Sequence, residues 1–349
     1  MKTGLSSFAA LGAEIDSQIS QKQDYTVQSA AVEMNESGDG LTVMTDSDVL
    51  ELEISDTAHR QLAQAADIHG NYYSKLRKED RELLAINVNR RLQRQGSRTH
   101  VLRTMGNTAR AFLGGGYEII DHDQVLEALY PEIMKLGRDL ELLSTDVTEQ
   151  RLYIKLAFPK VEGEIRKGDI IRSGVTITNS ETGEGGLNVY PSTFRLVCTN
   201  GMTRMEEGER RTIRHSGSRM RELGQILERE RAAVKLHQFV EYFSEAHDEA
   251  IFQRTLNQMR HSTEMRIEVT TDELMERARR HFGMTQAEQV QALNHLLIDE
   301  DLTAYGLMNA ITRTAHDSDS YDRATELESM GSQVLSLPQS TWREIAIAR

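Results

Sequence analysis

The chain is poor in cysteine, proline and aromatic residues: one cysteine, four prolines and 5% Phe, Trp and Tyr in 349 residues. A lone Cys198 excludes an internal disulfide framework and any zinc site built on several cysteines, which fits a reducing, cytoplasmic setting in a bacterial host. With so little proline, long helices run uninterrupted and proline-rich linkers are absent. No run of about 18 apolar residues occurs, so no membrane-spanning helix is expected. The opening MKTGLSSFAALGAEIDSQ has one lysine and a short, weak apolar patch, which is not a signal-peptide pattern. GxxxxGK[ST] and HExxH are missing, and Gly114-Gly115-Gly116 is not GxGxxG. P-loop, dinucleotide and zinc-hydrolase readings therefore fall away, and no cofactor or metal is expected.

What the chain does have is segregated charge. The net charge is −13, yet Ser74 to Arg110 carries ten Lys/Arg against Glu79, Asp80 and Glu82. Arg204 to Arg221 adds six arginines against three glutamates. Such separation can turn a positive face to a polyanion while the rest stays well solvated. Two ordinary solvated helix faces would show the same counts.

The apolar pattern is α+β: antiparallel sheet and hairpins with packed helices, then an all-α C-terminal region. Residues 1–25 are Ala/Ser/Gln-rich and expected to be poorly ordered. Residues 26–217 form the α+β core and 218–349 the helical region. YTVQSAAVEM, LTVMT and VLELEI read as strands split by turn residues. Ser55-Asp56-Thr57 caps a helix running to Gly70, and a second helical block covers Ser74 to Gln95. RTHVLRTM and ARAFLGGGYEII read as a hairpin about Gly106-Asn107, followed by a helix near Asp123 to Met134. DLELLSTD, RLYIKLAF, DIIRSGVTITNS and GLNVYPSTFRLVCTN read as a second β block. From Ser218 to His247, Met220, Leu223, Leu227, Leu236, Val240 and Phe243 fall at helical spacing, and shorter helices follow to about 335.

FRLVCTNGMTRMEEGERRTIRHSG, residues 194–217, concentrates the chemistry. Cys198, Thr199, Asn200 and Gly201 read as a hairpin turn, since Asn-Gly supplies two residues tolerant of positive φ. Arg204, Arg210, Arg211, Arg214 and His215 follow it. Guanidinium forks match phosphate oxygens, so these residues and Arg195 form one wall of a nucleic-acid groove. Arg90, Arg91, Arg94, Arg98, Arg103 and Arg110 form the other. The alternative is an enzyme using Cys198, Asn200 and His215. A third reading is a host-defence modulator that binds protein through the C-terminal helices and has no affinity for nucleic acid.

ISDTAHRQLAQAADIHGNYYSKL, LLAINVNRRL, LRTMGNTARAFLGGGYEIID, GDIIRSGVTITNSETGEGGLNVYPSTFRLVCTNGM and IRHSG stand in an order that resembles the phage/plasmid-like proteins, domain of unknown function 932. The resemblance covers about residues 50–245 and is most specific from Asn179-Ser180 to Arg214-His215. Family members usually carry FLS where this chain has Phe112-Leu113-Gly114. The resemblance implies a mobile-element origin without an assigned activity. The order of elements is also loosely similar to phage single-strand annealing recombinases. The expectation is a non-enzymatic nucleic-acid-binding protein of recombination or replication, favouring single-stranded DNA and acting as a homo-oligomer, with no membrane partner.

Overall fold

The computed structural model describes residues 4, 5, 7–195, 201–203, 211–215, 224–246 and 248–348, with the backbone alone at 201–203 and 224–229. The architecture is two antiparallel-rich sheets, helices packed on both, and an all-helical C-terminal region, as the apolar pattern predicts.

The first sheet contains β1 (Lys22–Gln28), β2 (Val32–Met34), β3 (Gly40–Met44), β4 (Val49–Ile54), β5 (Thr99–Met105) and β6 (Thr108–Gly114). Its order is β1-β5-β6-β4-β3-β2, and only the β4–β6 pair is parallel. Period-2 alternation sends Leu41, Val43, Leu52 and Ile54 into the core while their neighbours meet solvent. The three helices between β4 and β6 cover that face: α2 (Asp56–Ala65), α3 (Gly70–Glu79) and α4 (Arg81–Gln95). Their Leu62, Leu76, Leu84, Val88 and Leu92 pack on Leu102 and Phe112.

Ser55 caps α2 as expected, its hydroxyl accepting from Ala58 N–H. The helix stops at Ala65 rather than Gly70, because the chain reverses through Asp67 at φ 53°. The second block breaks in two at Asp80, whose carboxylate caps α4.

The second sheet has β7 (Glu141–Val147), β8 (Leu152–Glu164), β9 (Ile170–Asn179), β10 (Leu187–Arg195), and two short strands, β11 (Gly201–Thr203) and β12 (Arg211–Ile213), both paired to β10. One face is apolar: Leu152, Ile154, Val175, Ile177, Leu187 and Val189 pack beneath α1 (Phe8–Ile19), α5 (His122–Leu136) and α6 (Gly224–Glu245). The N-terminal segment expected to be disordered is thus largely structured. Ser7 caps α1, and Leu11 and Ile15 bury against the sheet. The opposite face carries Tyr153, Lys155, Thr176, Thr178 and Asn188, all buried and polar.

The C-terminal helices are α7 (Glu249–Ser262), α8 (Thr271–Phe282), α9 (Gln286–Asp299), α10 (Ala304–Thr314), α11 (Tyr321–Gln333) and α12 (Gln339–Ala346). They share one core, centred on Leu274, Leu307, Ile311 and Leu327, which reaches Ile165 and Ile171 of the sheet. α11 meets the polar face: Tyr153 donates to Asp322 at 2.6 Å, and Ser144 and Tyr321 hydroxyls lie 2.7 Å apart.

Candidate nucleic-acid interface and the buried network behind it

The sequence-expected arginines divide by environment. Arg90, Arg91 and Arg94 on α4, and Arg98 just beyond it, are all exposed. Leu84, Val88 and Leu92 face the core, so helical spacing turns Leu83, Ile86, Arg90 and Arg94 outward. Arg91 lies 3.3 Å from an exposed Asp67 carboxylate. The side chains of Arg90, Arg94 and Arg98 have no partner among the described residues.

Arg103 is different. It is 1% exposed, and its fork is fully used: Nε and Nη2 reach Asp24 at 2.8 and 3.0 Å, Nη2 also reaches Asp121 at 2.7 Å, and Nη1 donates to the Glu181 carbonyl at 3.0 Å. A guanidinium so enclosed has no face for a phosphate. Arg110 is withdrawn too, 2.8 Å from the Glu181 carboxylate. Arg195 holds Asp169 in a bidentate pair at 2.6 and 2.9 Å. These three leave the expected track because folding supplies each with a carboxylate.

Part of the expected second wall falls within the described residues. Arg211 and Arg214 are exposed, Arg211 lying 5.7 Å above the Tyr242 ring and 3.7 Å from Glu245. Cys198, Thr199, Asn200, Arg204 and Arg210 lie outside the described residues. Gly201 lies in the returning strand opposite Phe194, so it is not a turn residue as expected. His215 is buried. Its Nδ1 is 3.1 Å from the Glu118 carbonyl and its Nε2 3.0 Å from Asn179 Oδ1, and Tyr117 stacks on the ring at 5.2 Å. Burial, more than any neighbouring charge, lowers its pKa to about 4. With a protein oxygen against each nitrogen, the buried ring has no open side for a thiol, and as a neutral group it brings no charge to a phosphate.

Two backbone contacts connect the exposed groups. Gly115 N–H donates to the Thr99 carbonyl at 3.0 Å, beside Arg98. Glu118 N–H donates to the His215 carbonyl at 2.7 Å, beside Arg214. Along this path Arg98 and Arg214 are at most about 30 Å apart between Cα atoms. α6 pins the path, Lys235 pairing with the Glu118 carboxylate and donating to the Arg214 carbonyl at 2.6 Å.

Behind this surface lies Glu181, fully buried and not singled out in the sequence. Its carboxylate takes Lys22 of β1 and Arg110 of β6 at 2.8 Å each, and the His122 backbone N–H at 2.8 Å. Burial works against its ionisation, but His122, Arg110 and Lys22 outweigh it and hold the carboxyl far below the ordinary range. Of these, Arg110 and Lys22 carry the charge at neutral pH, because burial lowers the His122 pKa to about 3. Asn179 completes the network, its amide nitrogen donating to the Ile120 carbonyl and facing His122 Nδ1 at 3.1 Å. The loop after β9 thereby locks the second sheet to the first.

Among the described residues no three His, Cys, Asp or Glu side chains come together as a metal set, and no helix is long and apolar enough to cross a membrane. No curated protein and no solved structure matches the chain. A family profile described as a domain of unknown function (DUF932) matches residues 111–334, which is more than half of the sequence, and the chain belongs to that family.

Proposed function

Taking that membership as the premise, we propose that the protein binds nucleic acid, single strands before duplex, as a non-enzymatic component of recombination or replication in a phage, plasmid or other mobile element. The observation that carries the reading is the state of Arg90, Arg94 and Arg98: exposed and without a partner among the described residues, in a chain of net charge −13. Many of the other arginines sit against a carboxylate. Cations held in water, two on α4 and one just beyond it, are free to replace the counterions of a phosphate backbone. Leu83 and Ile86 on the same face give bases an apolar surface, and Arg211 and Arg214 extend the positive charge across the Glu118 loop.

Val290, Leu297 and Ile298 expose an apolar stripe on α9, which supports self-association through the C-terminal helices. The test is fluorescence anisotropy of a labelled oligothymidine and of a duplex, from low to high salt, with light scattering for the oligomeric state. Single-strand binding that weakens steeply with salt supports the reading. No binding at low salt removes it.

A further inference from the structure

A cleft of about 470 Å³ opens between α2 and α3, on the opposite side of α2 from its contact with β6, and no part of the strand-binding reading uses it. Its walls include Asp56, His59, Arg60, Gly70, Tyr73 and Arg77. His59 is 2% exposed, its Nδ1 lies 2.8 Å from the Tyr73 hydroxyl, and its Nε2 has no hydrogen-bond partner among the described residues. Tyr73 is itself buried, and among the described residues its hydroxyl meets His59 alone. The neutral ring and the hydroxyl carry one polar hydrogen each, and their single mutual contact uses only one of the two, whichever tautomer the ring adopts. Burial keeps the ring neutral by lowering its pKa to about 4. The cleft wall thus holds a buried N–H or O–H donor of the His59–Tyr73 pair without an acceptor among the described residues, the kind of group native interiors seldom leave unmatched.

Further donors surround it. α3 starts at Gly70 behind His69, which makes no side-chain cap, so its first amides are left to solvent or a ligand and carry the positive end of the helix dipole. A Cβ on Gly70 would meet nothing within 4 Å, so the backbone there is open. Arg60 and Arg77 each hold one carboxylate through a single nitrogen, Glu184 and Asp56 respectively, both at 2.7 Å, leaving the rest of each fork available. Ala63, Ile68 and the Tyr73 ring supply an apolar lining. The volume suits a small organic molecule.

We propose that this cleft binds the phosphate group of a phosphomonoester, with the spare donor of the His59–Tyr73 pair, the uncapped start of α3 and the two guanidinium forks as donors and the apolar wall against the organic body. Uncapped helix starts and arginine forks are the groups that recognise phosphate. A free phosphomonoester and a phosphate of a polynucleotide share this chemistry.

The probe is phenyl phosphate, titrated calorimetrically into the full chain at low salt. Two variants accompany it. Gly70→Glu puts a carboxylate in the first turn of α3, where it suits the helix dipole and blocks an anion. Arg77→Gln removes one exposed fork. The expected result is one saturable site, with affinity reduced at least tenfold in each variant and Tm unchanged. No saturable binding, or binding that both variants leave intact, overturns the proposal. Displacement of phenyl phosphate by an oligothymidine would assign the site to a strand's own phosphate, and lack of displacement to a free phosphomonoester. Both outcomes support the site. The inference does not rest on strand binding by α4: replacing Arg90, Arg94 and Arg98 by Glu should leave phenyl phosphate binding unchanged.

Discussion

Lys155 Nζ of β8 lies 2.6 Å from Glu328 Oε2 of α11, and both side chains are fully buried. The Tyr321 ring flanks the ammonium at 5.0 Å. This pair joins the polar face of the second sheet to the C-terminal helices. Removing one member leaves an uncompensated charge in the interior, so Lys155→Met or Glu328→Gln should each lose about 3–5 kcal/mol in urea unfolding. Replacing both with apolar residues should recover a large part of that. A single variant that loses less than about 1 kcal/mol would show that water reaches the pair.

Glu181→Gln should be as damaging by a different route. Lys22 and Arg110 then keep their charge with no carboxylate between them. A loss of about 3–5 kcal/mol is expected, together with faster hydrogen exchange in β1, the edge strand that Lys22 ties down. Exchange confined to the loop after β9 would mean that Glu181 organises only its own segment.

Acid should unfold the protein early. Burial holds His59, His100 and His215 at about 4 and His122 at about 3, against 6.5 for an ordinary histidine. Between those limits the unfolded chain binds more protons, so stability is intact above about 6.5 and falls as pH drops towards 4. Each histidine accounts for up to about 1.4 kcal/mol per pH unit in that window. Glu181 acts lower: its depressed carboxyl stabilises the fold above about 4.5 and that contribution is lost on further acidification. Urea midpoints at pH 7 and pH 5 check this, and equal midpoints would contradict it.

Charge reversal at Arg90, Arg94 and Arg98 together should abolish single-strand binding and leave Tm nearly unchanged, since none has a partner among the described residues to lose. Neutral replacement by Gln should lower the salt slope by about 2, at roughly 0.7 per lost phosphate contact on a single strand. The same change at Arg103 should instead unfold the protein. If Arg103 variants fold normally and lose only binding, the buried assignment is wrong.

Gly174 sits mid-strand in β9, where an added Cβ would lie 2.2 Å from the Leu156 carbonyl oxygen and 2.3 Å from the Phe194 ring. Gly174→Ala should therefore cost about 1–3 kcal/mol through overpacking, measured by thermal unfolding. An unchanged Tm would mean that both Phe194 and the Leu156 backbone give way freely.

Much of this architecture was legible locally. The alternation of LTVM and VLELEI, the Ser55 cap and the helical spacing of α6 are short-range signals, and each produced its element. α1 was missed because its stability comes from packing on a sheet more than a hundred residues away. The site was read less well, because a count of arginines does not say which have carboxylates nearby. Arg103 meets Asp24 across the β1–β5 pair and the Glu181 carbonyl from the other sheet, contacts that no local pattern encodes. Lys155 did leave a trace. In RLYIKLAF it alternates with Leu152, Ile154 and Leu156, and a lysine between such neighbours on a strand buried on both faces needs an internal counter-charge.

The Glu181 lock bears on how this protein divides. The family match starts at residue 111, inside β6 and one residue past Arg110. A fragment cut there would keep the acidic bolt and discard Lys22, Arg103 and Arg110, the keepers it slides into. Shared ancestry and independent folding thus have different borders in this chain, and the smallest piece expected to stand alone reaches back to β1.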